Sequence, residues 1–197
     1  MFIQIIQGPC TREDELRALA QSWRTEVGER ADTGFLGGTY GFTDDHQFVG
    51  VVRFETRDKA MANSARPEQT AWAEKMMALM DGPVTFHDCD DVTLMMDGGS
   101  DDAGFVQIIQ GRVNDPARLK QLMADTETLH RERPEILGGT LAIEADGSFT
   151  ETIAFTSEAA AREGEKKEMP PEVAQGLESA MSDVRYLDLH KPWFESA

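Results

Sequence analysis

The sequence predicts an α+β protein made of two tandem βαββαβ units. Three observations predict this fold class: an internal repeat, the same order of strand and helix patterns in both copies, and a strand that is apolar on both faces. Self-similarity at a fixed spacing indicates a repeated structural unit, and we therefore interpret it before any single motif. The 197-residue chain is long enough for two units of ordinary domain size.

Two short motifs carry the repeat. Residues 2–8, FIQIIQG, return at 105–111 as FVQIIQG, with six identities in seven positions at an offset of 103. The motif LGGT at 36–39 returns at 137–140, in the same order and at an offset of 101. Between the copies, residues 97–104 are rich in glycine and aspartate and predict a flexible polar linker. We therefore place the first unit at 1–96 and the second at 105–197.

The first strand and first helix of each copy follow from these motifs. The opening apolar runs are short, β-branched and closed by glycine, as strands are. Apolar residues at helical spacing come next and end at Trp23 in the first copy. In the second copy the residue that matches Trp23 is Thr126. Residues 11–14 predict a capping box, and 114–116 predict a cap that is followed by proline.

A hairpin, a second helix and a last strand complete each copy. The predicted hairpin strands are 35–42 with 48–55, and 136–144 with 149–156. The glycine pairs at 37–38 and 138–139 interrupt strands, which indicates a bulge or a close backbone approach. Prolines at 67 and 170–171 predict the starts of the second helices, which lead to strands at 84–89 and 184–189.

The element order is that of the ferredoxin-like fold, an antiparallel sheet of four strands with both helices on one face. In the predicted strand 48–55, Phe48, Val52 and Phe54 point to one face, whereas Val49 and Val51 point to the other. A sheet that is apolar on both faces needs a cover on its helix-free side. A similar sheet follows after a short linker, and we expect the two units to pack sheet to sheet.

The sequence resembles the dimeric α/β-barrel superfamily, and most closely its antibiotic-biosynthesis-monooxygenase-like branch. The resemblance rests on the Phe/Ile/Gln first strand, the Gly-Gly-Thr second strand and the proline-started helix that leads to Val84-Thr85-Phe86. It covers nearly the whole chain twice and implies a single-chain dimeric α/β barrel. The superfamily includes oxygenases, haem-degrading enzymes, isomerases and proteins of no known role, so the fold does not select one reaction.

The haem-degrading members pair an Asn on the first strand with a Trp and a His ten positions apart. Here the corresponding residues are Gln4, Trp72 and Gly82, which argues against haem degradation. The chain also has no phosphate loop, dinucleotide fingerprint or nucleophile elbow, and its acidic clusters do not match a calcium loop. We therefore expect no cofactor and no metal.

Charge limits the partners. The chain has 36 acidic and 19 basic residues, a net charge of −17, and such a surface repels nucleic acids and anionic membranes. No apolar run is long enough to span a bilayer and no signal peptide is recognisable, so a cytoplasmic location is expected. The two cysteines, Cys10 and Cys89, form neither a disulfide framework nor a zinc motif.

The first copy is the better candidate for a ligand pocket, because it carries aromatic residues that the second copy lacks. Such pockets have apolar and aromatic walls with a few polar groups. The candidate substrate-binding residues are Gln4, Trp23, Tyr40 and Trp72. Core packing is the alternative for the two tryptophans and sheet packing for Tyr40. Gln4 and its counterpart Gln107 could instead hydrogen-bond across the pseudo-dimer.

Candidate catalytic residues are fewer. His87 lies on the last predicted strand and is a candidate base, whereas His46, His130 and His190 fall in a turn, at a helix end and in the tail. Arg53, or Gln4, is a candidate donor to a developing anion. For Arg53 an ordinary ion pair at a sheet edge is the alternative.

Two functions remain open at this point. The first is a small-molecule-binding protein with cofactor-independent, monooxygenase-like activity on an aromatic or polyketide-like compound, as the resemblance implies. The second is a non-catalytic ligand-binding or stress-related module. The partner is a small molecule in both cases, within an intramolecular pseudo-dimer whose further homodimerisation is left open. Whether Arg53, Trp72 and His87 converge on one cavity distinguishes the two functions.

Overall fold

The computed structural model describes residues 1–28 and 32–196, so residues 29–31 of the first predicted unit and residue 197 of the second lie outside the description. The strands and helices in chain order are β1 Phe2–Pro9, α1 Glu13–Glu26, β2 Phe35–Phe42, β3 Gln47–Phe54, α2 Arg57–Ser64, α3 Pro67–Leu79, β4 Thr85–Cys89, β5 Asp91–Met95, β6 Phe105–Val113, α4 Pro116–Ala124, α5 Thr126–Glu132, β7 Ile136–Ile143, β8 Ser148–Phe155, α6 Glu158–Glu165, α7 Pro171–Ala180, β9 Met181–Leu189 and β10 Trp193–Ser196. None of the described helices has the length and apolar character needed to cross a bilayer.

The first unit consists of residues 1–90 and β10. Its sheet has the strand order β10-β2-β3-β1-β4, and all of the pairings are antiparallel. Directly paired residues project to the same face of a sheet. One face carries Phe48 and Trp193, which form a core with Leu16 and Ala20 of α1 and Met76 of α3. The helices therefore cover this face of the sheet.

The second unit, Asp91–Pro192, repeats this arrangement with the strand order β5-β7-β8-β6-β9. Its core joins Phe105, Leu141 and Phe149 of the sheet to Leu119 and Met123 of α4. The predicted fold class is confirmed, because two antiparallel α+β units follow each other in one chain.

Each sheet has five strands where four were expected. Strand β5 lies within the predicted first unit but pairs with β7 of the second sheet. Strand β10 lies within the predicted second unit but pairs with β2 of the first. The pairings supply hydrogen-bond partners to β2 and β7, which would otherwise be edge strands. The structural boundaries therefore differ from 1–96 and 105–197 by these two exchanged strands, and the predicted linker 97–104 begins within a short 3-10 turn, Met96–Gly98.

The glycines of β2 and the prolines at the helix starts have the predicted local structure, whereas the start of α1 does not. The register of β2 shifts between Phe35 and Gly37, and Gly37 has φ +145°, so the predicted bulge is confirmed. Helices α3 and α7 begin at Pro67 and Pro171 as predicted. The prediction of a capping box at residues 11–14 is wrong, because the Thr11 hydroxyl donates to the Asp81 carboxylate at 2.8 Å. Helix α1 therefore begins without a side-chain cap.

Candidate functional site

A pocket lies inside the first unit, between the helix-covered face of the sheet and helices α1, α2 and α3. Its empty space is about 610 Å³ with the adjoining open solvent included, and about 70 Å³ of it is accessible to a water-sized molecule. The sheet contributes Gln4, Ile6, Phe35, Tyr40, Phe48, Val52 and Phe54, and the helices contribute Leu16, Ala20, Trp23, Asn63, Ser64, Gln69, Trp72 and Met76. Its walls are therefore mainly apolar and aromatic, with polar groups at a few positions.

All four predicted substrate-binding residues line this one pocket. Gln4 comes from β1 and Tyr40 from β2, whereas Trp23 and Trp72 come from α1 and α3. Trp72 is also anchored, because its indole N–H donates to the Leu19 carbonyl at 3.2 Å. Four separate elements thus bring together residues that are up to 68 positions apart in the sequence. Their role toward a ligand stays a prediction.

The structure does not bring Arg53 and His87 to the pocket. Arg53 alternates with Val52 and Phe54, which both line the pocket, so its side chain leaves from the opposite face of the sheet. There its guanidinium donates to the Thr39 hydroxyl at 3.1 Å. The expectation that Arg53 acts on a pocket-bound ligand is therefore corrected by strand alternation.

The same correction holds for His87. It pairs in register with Ile5, whereas its neighbour Asp88 pairs with Gln4 on the pocket side. His87 therefore shares the helix-free face of the sheet with Ile5. Because Trp72 lies on the other side, the three residues proposed to converge on one cavity do not do so.

Gln4 is held by its own sheet. Its side-chain amide donates to Asp88 Oδ1 at 2.9 Å. The other oxygen of Asp88 lies 3.5 Å from Arg57 Nη1, and the Arg57 guanidinium lies 4.9 Å from the centre of the Phe2 ring. This Gln-Asp-Arg-Phe network fixes the orientation of Gln4 at the end of the pocket.

The second unit has the same network. Gln107 donates to Asp188 Oδ1 at 3.0 Å, Asp188 pairs with Arg162, and Arg162 lies 5.1 Å from the centre of the Phe105 ring. A network present in both units indicates a structural role. Each glutamine donates to the aspartate on the paired strand of its own unit, Asp88 on β4 or Asp188 on β9.

We expect Asp88→Ala to lower the free energy of unfolding by about 1 kcal/mol, because the Gln4 amide loses its acceptor. Arg57 loses a contact of 3.5 Å and keeps Asp90 at 2.8 Å. Asp88 and Arg57 are partly exposed, which limits the effect. Urea denaturation measures it, with Glu74→Ala at an exposed position of α3 as the control. A loss no larger than that of the control would contradict the structural role of the network.

The helix end of the pocket is polar and ordered. The Trp23 indole N–H donates to Gln69 Oε1 at 2.6 Å, and the Asn63 amide donates to the same oxygen at 3.4 Å. Because an indole N–H can only donate, Gln69 must present its oxygen to Trp23. The NH₂ group of Gln69 is thereby directed away from Trp23. Gln69 and Asn63 were missed in the sequence, where they look like ordinary polar residues of helices.

The Tyr40 ring packs over two glycines of the sheet, Gly38 and Gly50. A Cβ atom at Gly50 would lie 3.1 Å from Tyr40 Cδ1, so the ring occupies space that a side chain there would need. Burial raises the pKa of the Tyr40 phenol above its usual value, the charge of Glu195 raises it further, and Arg53 opposes the shift. The phenol is therefore protonated at neutral pH. Within residues 1–28 and 32–196, no group is seen to hydrogen-bond to its oxygen.

The pocket can therefore enclose an aromatic ring and donate hydrogen bonds to it. Tyr40 supplies a protonated hydroxyl, and Gln69 supplies an amide. The lining residues named above include no carboxylate, imidazole or thiol. The lining can bind and orient a ligand, and the carboxylate whose charge acts on the phenol is that of Glu195, on β10.

Solved structures share this fold across the whole chain. A presumed monooxygenase from Fusobacterium nucleatum has a TM-score of 0.76 at 10% identity, over 99% of this chain and 94% of that one. One from Lactobacillus acidophilus has a TM-score of 0.71 at 13% identity, over 100% and 97%. An anthrone oxidase-like protein has a TM-score of 0.67 at 8% identity, over 100% and 93%. No family model and no curated protein matches the sequence.

The fold and the pocket define a tandem ferredoxin-like protein with a partly open, mainly apolar and aromatic pocket in its first unit. More particularly, the chain shares its fold over both units with solved structures of presumed monooxygenases and of an anthrone oxidase-like protein, in agreement with the resemblance. At these identities the likeness concerns the fold alone, and the activity must be argued from the site.

Proposed function

We propose that the first unit binds an aromatic small molecule in the pocket between its sheet and helices α1 to α3. The observation that carries the proposal is the convergence of Gln4, Trp23, Tyr40 and Trp72 on one pocket. The pocket is partly open to solvent and about 70 Å³ of it is accessible to a water-sized molecule, so the proposed ligand is a small aromatic molecule. Aromatic walls favour stacked or edge-on contacts with such rings.

The Tyr40 hydroxyl gives the pocket its polar selectivity. A protonated phenol in apolar surroundings donates to a ligand carbonyl or phenolate oxygen, and a buried donor without an acceptor is costly. Ligands with an oxygen acceptor at this position therefore bind better than the corresponding hydrocarbons.

Oxygenation of an aromatic or polyketide-like compound is the finer form of the proposal. The names of the structural neighbours support it, whereas the absence of a side-chain base among the lining residues favours binding without catalysis. Anthrone separates the two. In catalysis one oxygen atom of O₂ enters the product as a carbonyl and the other leaves as water, so oxygen uptake above the uncatalysed rate indicates an enzyme. Binding of anthrone without such uptake indicates a binding protein.

Tyr40→Phe tests the binding site. We expect the wild-type protein to bind 1-tetralone more tightly than tetralin, which has the same ring system without the carbonyl. Loss of one hydrogen bond costs about 1 kcal/mol, so Tyr40→Phe should weaken 1-tetralone binding roughly fivefold and leave tetralin binding unchanged. Quenching of tryptophan fluorescence measures both. An unchanged preference for 1-tetralone in Tyr40→Phe would contradict the role of the hydroxyl.

A further inference from the structure

The second unit has a buried carboxyl group that the network described above does not use. Glu151 lies on β8, directly opposite Ile109 on β6 and Leu141 on β7. Paired residues share a face, and Ile109 and Leu141 belong to the core that the helices cover. Glu151 therefore projects into the space between the sheet and the helices, where only 9% of it is exposed.

This carboxyl group has no partner in the part of the chain that the structure describes: no hydrogen bond or ion pair to Glu151 is found there. Loss of hydration on burial raises its pKa to about 7. Glu135 of the same unit is a useful contrast. Its exposed fraction is similar and burial raises its pKa, but the hydrogen bonds from Arg133 and from its own backbone N–H, with the charges of Arg133 and Lys167, together lower the pKa of Glu135 below its usual value. Buried carboxylates normally have such a partner.

The position of Glu151 corresponds to the pocket of the first unit. Along the repeat, Ile109, Leu141 and Ile153 match Ile6, Tyr40 and Val52, which line that pocket. Glu151 itself matches Gly50, the residue beneath the Tyr40 ring. The second unit thus keeps an apolar floor and has a carboxyl group where the first unit has a phenol.

The helices of the second unit also lack an aromatic residue that lines the pocket of the first unit. Trp72 of the first unit corresponds to Gly176, and a Cβ atom there would meet only the flexible ends of the Arg118 and Leu122 side chains, at 3.1 and 3.2 Å. The residue that fills the helix side of the first pocket is therefore missing in the second unit. Long side chains that can change rotamer stand in its place.

We propose that Glu151 anchors a second ligand site, in the second unit, that binds a hydrophobic primary amine. An ammonium group supplies both the charge and the hydrogen-bond donors that the carboxylate lacks. The surrounding isoleucine and leucine side chains accommodate the hydrocarbon part of the ligand. The net charge of −17 attracts cations to the protein surface. This proposal does not depend on the function proposed for the first unit.

Calorimetric titration of the folded protein at pH 8 tests the proposal, with benzylamine as the probe and benzyl alcohol as its neutral counterpart. We expect benzylamine to bind and benzyl alcohol to bind at least tenfold more weakly. Glu151→Gln should weaken benzylamine binding at least tenfold. Glu178→Gln, which removes the same charge from an exposed position of α7, should leave it unchanged.

Tyr40→Phe should also leave benzylamine binding unchanged, which keeps this site distinct from the pocket of the first unit. Equal benzylamine binding by the wild type and Glu151→Gln would overturn the proposal, because the amine would then bind elsewhere on an acidic surface. Absence of benzylamine binding to the wild type would overturn it as well and leave Glu151 as a buried acid of the core.

Discussion

Replacing Glu151 by Gln is expected to stabilise the protein by about 3 kcal/mol above pH 7 and to change its stability little at pH 4. The pKa of Glu151 is raised from 4.5 to about 7 in the folded protein, because burial disfavours the charged form. Each unit of pKa difference corresponds to about 1.4 kcal/mol, which sets the size of the effect.

The direction follows from the number of protons bound. Below pH 4 the carboxyl group is protonated in both the folded and the unfolded chain, so it contributes no pH dependence. Between the unfolded and the folded pKa, the unfolded chain releases the proton while the folded chain keeps it, and stability falls as the pH rises. Above pH 7 the full penalty is present, and Glu151→Gln removes it.

Urea denaturation of the wild type and Glu151→Gln at pH 4, 5, 6, 7 and 8 measures this difference, and Glu178→Gln serves as the control. The other acidic groups titrate equally in both proteins, so the difference between them isolates Glu151. A difference that does not grow between pH 5 and 7 would show that the carboxyl group is better solvated or paired than the structure indicates. Saturating benzylamine should reduce the difference, since the amine binds only the ionised wild-type site.

The repeat, the hydrophobic alternation and the helical spacing were together enough to predict the fold class, because alternation and spacing report which face of an element is buried. It could not predict β5 and β10. These strands have five and four residues, too few for a clear alternation, and β10 pairs with a strand about 150 positions earlier. Strand pairing over such a separation is decided by tertiary contacts rather than by local sequence.

Strand alternation also explains why the candidate site was predicted only in part. Gln4 and Tyr40 lie on the pocket side of their strands, and the two tryptophans lie on helix faces that turn toward the sheet. Arg53 stands between two residues that the alternation assigns to the pocket side, so the sequence itself already placed it on the other face. His87 could not be assigned in this way, because its face depends on the register of β4 against β1.

The Gln-Asp-Arg-Phe network shows a different limit. Arg57 is the first residue of α2, whereas Arg162 is the fifth residue of α6, yet each reaches the aspartate of its last strand and the phenylalanine of its first. The two arginines do not align in the repeat, so no motif reveals their common role. Both units keep this network by different means, which indicates a structural role, whereas Tyr40 and Glu151 occur in one unit each.

Trp72→Ala is expected to lower the free energy of unfolding by about 3 kcal/mol and to abolish detectable 1-tetralone binding. The stability loss follows from a truncated, partly buried indole that packs beside Met76 and donates to Leu19, and it lies at the lower end of the range for such changes. The binding loss follows because Trp72 forms part of the pocket wall. Calorimetric titration at 10 °C, where the variant stays folded, separates the two effects.

Two variants make the result interpretable. Trp72→Phe keeps a ring in the pocket wall but loses the hydrogen bond to Leu19, so it should bind 1-tetralone with less than a tenfold loss. Gly176→Ala changes the matched position of the second unit. Alanine there gains up to about 1 kcal/mol in helix propensity, which a close contact with Arg118 opposes. Binding of 1-tetralone to this variant should be unchanged. If folded Trp72→Ala binds 1-tetralone as the wild type does, Trp72 belongs to the core alone. The pocket of the first unit would then not be the binding site, because one of its two tryptophans could be removed without consequence for the ligand.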